Sequence, residues 1–311
     1  MAEKRVQTDM TAGNPAKIIL NFTIPIFIGN LFQQFYSMAD TVIVGKFVGT
    51  KALAAVGSVG TIMFLILGFL QGLTAGFSVL TAQRFGAGDM KGMRKTVGTA
   101  AVLSAVSIVV ITAGSMLLMK PLLIFMHTPD DIFEDAYTYI MIICAGIVAT
   151  VLYNLLSSIL RALGDSKTPL YFLVLSAILN IVLDLVLIII FHMGAAGAAY
   201  ATVISQGVSG VGCLLYIWKK VPLLKLEKAD FRPEGYLAKM QLSVGLPMAL
   251  QYSITAIGAM MVQSSLNLLG SLSVAAYTAA NKIEQDRNSG LCGSWNYHGD
   301  LLCPEYGGRT D

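Results

Sequence analysis

Charge is scarce in this sequence. Only 13% of its 311 residues are Asp, Glu, Lys or Arg, against roughly a quarter in soluble domains. Hydrophobic residues make up 55%, and the mean hydropathy is +0.70. This balance excludes a soluble globular protein, and we expect no nucleic-acid partner. The sequence predicts an all-α polytopic membrane protein that lies in the lipid bilayer.

Cysteine is also scarce, with four residues and no CxxC pair. The spacing therefore indicates neither a zinc site nor a disulfide framework. Long apolar runs are abundant instead. Seven of them reach the roughly 20 residues that a membrane-spanning helix needs: Ile18–Val44, Leu53–Phe77, Val97–Met119, Tyr137–Leu160, Leu170–Phe191, Ala195–Trp218 and Leu242–Leu269.

Lysine and arginine are distributed unevenly over the connections. The N-terminal segment and alternate connections hold 15 of them, whereas the opposite connections before the seventh segment hold Lys46, Lys51 and Lys120. By the positive-inside rule, the N-terminus is expected to be cytoplasmic. The expected location is the plasma (inner) membrane.

Acidic residues are almost missing from the spanning segments. Of the 18 in the chain, Asp40 and Asp184 lie inside them. A charged side chain near the bilayer centre costs about 2.5–3.5 kcal/mol even on lenient insertion scales. Because no Lys or Arg lies mid-span in these seven segments, we expect the compensating charge to be mobile, either a proton or a metal cation.

Polar residues accompany both carboxylates. Tyr36 precedes Asp40, and Asn180 precedes Asp184, in each case by one helical turn and on the same face. Thr202 lies in the Gly/Ala-rich sixth segment, where helices can approach closely. Their oxygens suit a sodium-type ion and would equally stabilise a protonated carboxyl group. The alternative is that these acids face water near an interface.

Two amides interrupt apolar segments elsewhere, and a weak repeat divides the chain. Gln34 and Asn154 are candidates for a substrate cavity, with helix–helix hydrogen bonding as the competing explanation.

The sequence around Pro25, which should kink the first helix, is echoed around Pro247. We therefore predict these regions: 1–17, cytoplasmic segment; 18–218, six-helix lobe; 219–241, linker; 242–285, start of a second lobe; 286–311, an aberrant polar tail. The tail is expected to result from a frameshift or premature stop, with an ordinary disordered end as the alternative.

Four stretches carry a family resemblance: TIPIFIGNLFQQFYSMADTVIVGKFVGTKALAAVG, SSILRALGDSKTPLYF, LNIVLDLVLI and MGAAGAAYATVISQ. The chain resembles the multidrug and toxic compound extrusion (MATE) family, in its bacterial and archaeal damage-inducible branch. The resemblance implies twelve helices in two lobes, and export of organic cations in exchange for Na⁺ or H⁺.

In this branch the resemblance also implies a cation site in the N-lobe, which falls on Tyr36, Asp40, Asn180, Asp184 and Thr202. Gln34 and Asn154 match cavity-lining positions. The seventh segment lacks the glutamate that some branches use for a second cation site, which favours the N-lobe for coupling. A complete transport cycle would need the second lobe, of which only the beginning is present.

The sequence therefore predicts a cation-coupled antiporter that exports drugs, without enzymatic activity and without a cofactor other than the coupling ion. One alternative is a lipid or oligosaccharide flippase of the same superfamily, whose cavity would carry more basic residues. Another is an intramembrane aspartyl protease. That class requires a GxGD context for one aspartate, whereas the contexts here are MAD and VLD.

Overall fold

The computed structural model describes residues 15–227, 229–232 and 234–282, and all the regular structure in these ranges is helical. The predicted all-α fold class is thus confirmed there. The predicted tail 286–311 lies outside the described residues. The α-helices are α1 (Pro15–Ile43), α2 (Thr50–Gly86), α3 (Met90–Phe125), α4 (Phe133–Ala145), α5 (Ile147–Ala162), α6 (Lys167–Leu185), α7 (Gly194–Lys220), α8 (Gly235–Asn267) and α9 (271–282).

Five of the seven predicted spans are confirmed by length and composition, and a sixth is confirmed if two bent helices are counted as one span. Helices α2, α3, α6 with the turn that follows it, α7 and α8 are each long and apolar enough to cross a membrane. Helices α4 and α5 form a sixth span if they are counted as one, with a bend of 48° between them. Helix α1 has 29 residues, and its crossing of the membrane stays a prediction. The chain is a multi-pass membrane protein.

Helix α2 lies at the centre of the bundle, where it contacts α3, α4, α5, α7 and α8. Helix α1 packs on α6, and α6 packs on α7. Two buried apolar clusters fill the space between the helices. One includes Val44, Ile62 and Ile188, and the other includes Phe77, Met93 and Ala249.

Helices α2 and α8 touch backbone to backbone. A Cβ atom added at Gly72 would lie 2.8 Å from Ala249 Cα, and Gly76 faces Gly245 more closely still. Small residues at a crossing permit this approach, and in lipid such packing contributes much of the attraction between helices. Helix α8, predicted to begin the second lobe, is therefore seated directly on α2 of the predicted first lobe.

The connection between α7 and α8 is held against the start of α3. Lys95 Nζ lies 2.5 Å from Glu234 Oε1, and Arg94 Nε donates to the Leu223 carbonyl at 3.0 Å. The buried Gln241 side chain donates to the Thr96 carbonyl at 2.9 Å. The predicted linker therefore follows a defined path in its described residues.

Candidate functional site

Two π-helical turns position the intramembrane carboxylates. Asp40 lies in the last turn of α1, directly before the π turn Val44–Val48, and Asp184 lies in the last turn of α6, before the π turn Val186–Ile190. The two π turns pack against each other. Wide turns of this kind occur frequently at functional sites. Here they bring together two acids that are distant in the sequence.

The two carboxylates form a pair in which Asp184 is buried and Asp40 is half-buried. Asp40 and Asp184 are close enough for their carboxyl groups to interact, and Asp184 is 0% exposed. Within the described part of the chain, the Oδ1 atom of each is buried without a hydrogen-bond partner. Leaving a buried polar atom unpaired costs about 1–3 kcal/mol, and more for a charged one. Such a pair is therefore suited to hold a cation or to share a proton.

Asn180 links Asp184 to α7. Its buried amide nitrogen lies 3.4 Å from Thr202 Oγ1. With the amide oxygen and nitrogen exchanged, the nitrogen donates to Asp184 Oδ2 at 3.3 Å and the oxygen accepts from the Thr202 backbone N–H at 3.3 Å. The exchanged orientation satisfies both ends of the amide, and the choice between the two rests on the hydrogen-bond network. In either orientation, the predicted Asn180 and Thr202 are neighbours.

Three further side chains approach the acid pair. Tyr36, which was predicted, lies near both carboxylates, and the Gln206 side chain lies close to Tyr36. Tyr139 of α4 is 3% exposed and lies near Tyr36 and both acids. Sequence reasoning missed Tyr139 and Gln206, because one is a common aromatic in an apolar run and the other a single amide among small residues.

A cavity of about 550 Å³ opens beside the acid pair. Tyr36, Asp40 and Thr202 line it, together with residues of α2, α8 and α9. Asn180 and Asp184 lie behind this lining and are 1% and 0% exposed. The cavity therefore connects the predicted cation site to a space that can hold a small organic molecule.

Lys282 of α9 also lines this cavity. Its Nζ donates to Ser37 Oγ at 2.7 Å, and its charge is near enough to act on Asp40. Lys282 lies beyond the last of the seven predicted spans, so its pairing with Asp40 was not predicted from the sequence. Its place in the sequence is within region 242–285, which was predicted to begin the second lobe.

Gln34 and Asn154 stand apart from this group. Both are half-buried, on α1 and α5, and neither lines the 550 Å³ cavity among the described residues.

The described residues contain no group of three or more His, Cys, Asp or Glu residues that could hold a metal ion. A cation at the acid pair would thus be bound by two carboxylates and neutral oxygens, a donor set typical of hard ions.

Comparison with known proteins identifies the family. The MatE family model matches residues 25–186, slightly more than half of the chain. The chain belongs to the MatE (MATE) family. The matched region contains Tyr36, Asp40, Asn180 and Asp184, whereas Thr202 and Lys282 lie beyond it.

Two bacterial relatives are named as drug-resistance proteins and a third as an FAD transporter. The chain is 34% identical to the "Probable multidrug resistance protein YpnP" of Bacillus subtilis, over 89% of this chain and 62% of the relative. It is 28% identical to the "Probable multidrug resistance protein NorM" of Thermotoga maritima, over 86% of this chain and 58% of the relative. An "FAD transporter" of Shewanella oneidensis is 27% identical over 86% of this chain and 60% of the relative. The chain spans about three fifths of the length of these relatives.

Solved MATE structures share the fold. One is described as the outward-facing conformation of a multidrug resistance MATE family transporter of the MOP superfamily. It matches with a TM-score of 0.87 at 30% identity, over 99% of this chain and 68% of that chain. A MATE in complex with MaD3S matches with a TM-score of 0.85 at 30% identity, over 99% of this chain and 69% of that chain. The homologues of this chain are transporters, not enzymes.

Proposed function

We propose that this MATE chain forms the cation-binding lobe of a secondary transporter that exports organic cations in exchange for Na⁺ or H⁺. The observation that carries the proposal is the acid pair. Asp40 and Asp184 converge from two helices, and each keeps one buried oxygen without a partner in the described structure. The adjoining cavity is lined by Asp40 itself, so coupling ion and substrate would compete for the same negative charge.

The proposed ion ligands are Asp40 and Asp184, with Asn180, Thr202 and Tyr36 supplying neutral groups. Binding of the ion would satisfy the unpaired carboxylate oxygens and lower the negative potential in the cavity. Because Asp40 lies on α1, whose Pro25 interrupts the backbone hydrogen bonds, a change at Asp40 can alter the path of this helix. Ion entry would then release a bound organic cation.

Two predicted alternatives receive less support. A flippase for anionic head groups needs a predominantly basic cavity, whereas the charged residues lining the cavity in the described structure are Asp40 and Lys282. An aspartyl protease would need a water activated between its acids, and the relatives that match this chain are named for drug resistance, export or transport.

Equilibrium binding of ethidium, an organic cation, to the purified chain tests the proposal. Asp40→Asn should weaken ethidium binding at least about 10-fold, since a unit charge a few ångströms away contributes on this scale at an effective dielectric constant near 20. Asp184→Asn should abolish the competition of Na⁺, or of low pH, with ethidium. The matched control is Asp130→Asn, which removes an exposed carboxylate.

Ethidium affinity and ion competition equal to wild type in both Asp40→Asn and Asp184→Asn would refute the site. Potassium should replace sodium at constant ionic strength, so that a sodium effect is separated from charge screening. Transport itself is tested by efflux in cells that express the chain beside a version with an intact second lobe. In that version, either substitution should abolish drug resistance at unchanged expression.

A further inference from the structure

Lys282 gives the cavity a fixed positive charge opposite its acids. Its ammonium group is anchored to Ser37 on α1 by a 2.7 Å hydrogen bond, one helical turn before Asp40. The lysine itself lies on α9. The contact therefore joins two parts of the chain that are far apart in sequence, and it places the charge where a cationic ligand would approach Asp40.

The charges of the cavity can be counted. Among the described residues that line it, Asp40 and Lys282 are the charged ones, and the fully buried Asp184 stands directly behind Asp40. Even with both carboxyl groups ionised, the three side chains sum to one net negative charge. The remaining lining near these groups is neutral, including Tyr36, Tyr139 and Thr202.

We infer that Lys282 is a specificity-determining residue that restricts the cavity to ligands with a single positive charge. This inference rests on the proposed function, since it assumes that organic cations bind beside Asp40. A singly charged cation would neutralise the site. A doubly charged one would leave an uncompensated positive charge in a partly enclosed cavity, where such a charge is poorly solvated. Removal of the lysine charge should relax this restriction.

Ethidium and propidium provide a matched pair of probes, because they share one aromatic ring system and carry one and two positive charges. Binding of both dyes should be measured on the purified full chain and on Lys282→Met. Loss of the lysine charge should strengthen propidium binding about 5- to 10-fold more than ethidium binding, since the change in electrostatic energy scales with ligand charge. Lys282→Arg keeps the charge and should keep the wild-type ratio of affinities.

Lys51→Met is the control, because it removes an equal charge from an exposed side chain that pairs with Asp131. Lys282→Gln gives a second neutral variant if Lys282→Met does not remain monodisperse. An unchanged ratio in both neutral variants, with ethidium bound by wild type, would overturn the role of Lys282 alone. Absence of ethidium binding by wild type and by every variant would overturn the cation cavity and, with it, this inference.

Discussion

The crossing of α2 and α8 allows a quantitative test. Gly72→Ala places a methyl group 2.8 Å from Ala249 Cα and 2.8 Å from the Met248 carbonyl oxygen. Carbon atoms in contact prefer about 3.5–4.0 Å, and both neighbours are backbone atoms that cannot rotate away. The helices must therefore separate by about 1 Å at this point. Overpacking of this kind costs about 1–3 kcal/mol.

Gly60→Ala on the same helix is the matched control. No atom lies within 4 Å of a Cβ atom added at Gly60, so the methyl group meets open space. Both substitutions gain the same helix propensity, about 1 kcal/mol for Ala over Gly. The difference between the two variants therefore isolates the steric term, and Gly72→Ala should be less stable than Gly60→Ala by about 1–3 kcal/mol.

Thermal unfolding in a mild detergent measures this difference. With roughly 2–4 °C per kcal/mol for a chain of a few hundred residues, Gly72→Ala should melt about 2–12 °C below Gly60→Ala. A melting temperature of Gly72→Ala equal to or above that of Gly60→Ala would show that α2 and α8 do not meet at this position.

Two other substitutions test, in the same assay, the end of the bundle where α3 begins and the linker to α8 packs. Asp89→Ala should lower stability by about 0.5–2 kcal/mol, because Asp89 Oδ1 accepts from the Gly92 N–H at 2.8 Å and caps α3. The Gly92 N–H and Arg84 lower the pKa of Asp89, so the capping bond stabilises the fold above the ordinary carboxyl pKa and is lost as the pH falls below the lowered value. An unchanged stability difference between Asp89→Ala and wild type at pH 2 would contradict this. Gln241→Ala should cost about 2–3 kcal/mol, since it removes a buried side chain and its bond to the Thr96 carbonyl. The exposed Gln251→Ala should change little, and equal melting temperatures for these two variants would contradict the docking of the linker.

The sequence predicted the acid pair because placing a carboxylate in an apolar environment costs free energy. A carboxylate in an apolar helix is expensive wherever the helix is placed, so Asp40 and Asp184 could be singled out without knowledge of the fold. One-turn spacing then added Tyr36 and Asn180, since residues four apart share a helix face. The structure places all four, with Thr202, in one neighbourhood.

The remaining parts of the site could not be predicted in this way. Tyr139 and Gln206 carry no charge, so their position in a span costs too little to stand out from ordinary helix packing. Lys282 lies beyond the last predicted span, and only the folding of α9 against α1 brings it to Ser37 and Asp40. Gln34 and Asn154 are amides inside apolar segments, as Asn180 is, but such amides form hydrogen bonds between helices as readily as they line cavities.

The sequence alone determined the class of the protein, its helical spans and its two intramembrane acids. Hydropathy and desolvation are properties of individual residues and of neighbours along the chain, and they act before any helix meets another. The tertiary structure decided which groups the acids face, how α8 is seated on α2, and that a lysine shares the cavity with Asp40. Those facts depend on distances between residues far apart in the chain, which only the packing of the helices sets.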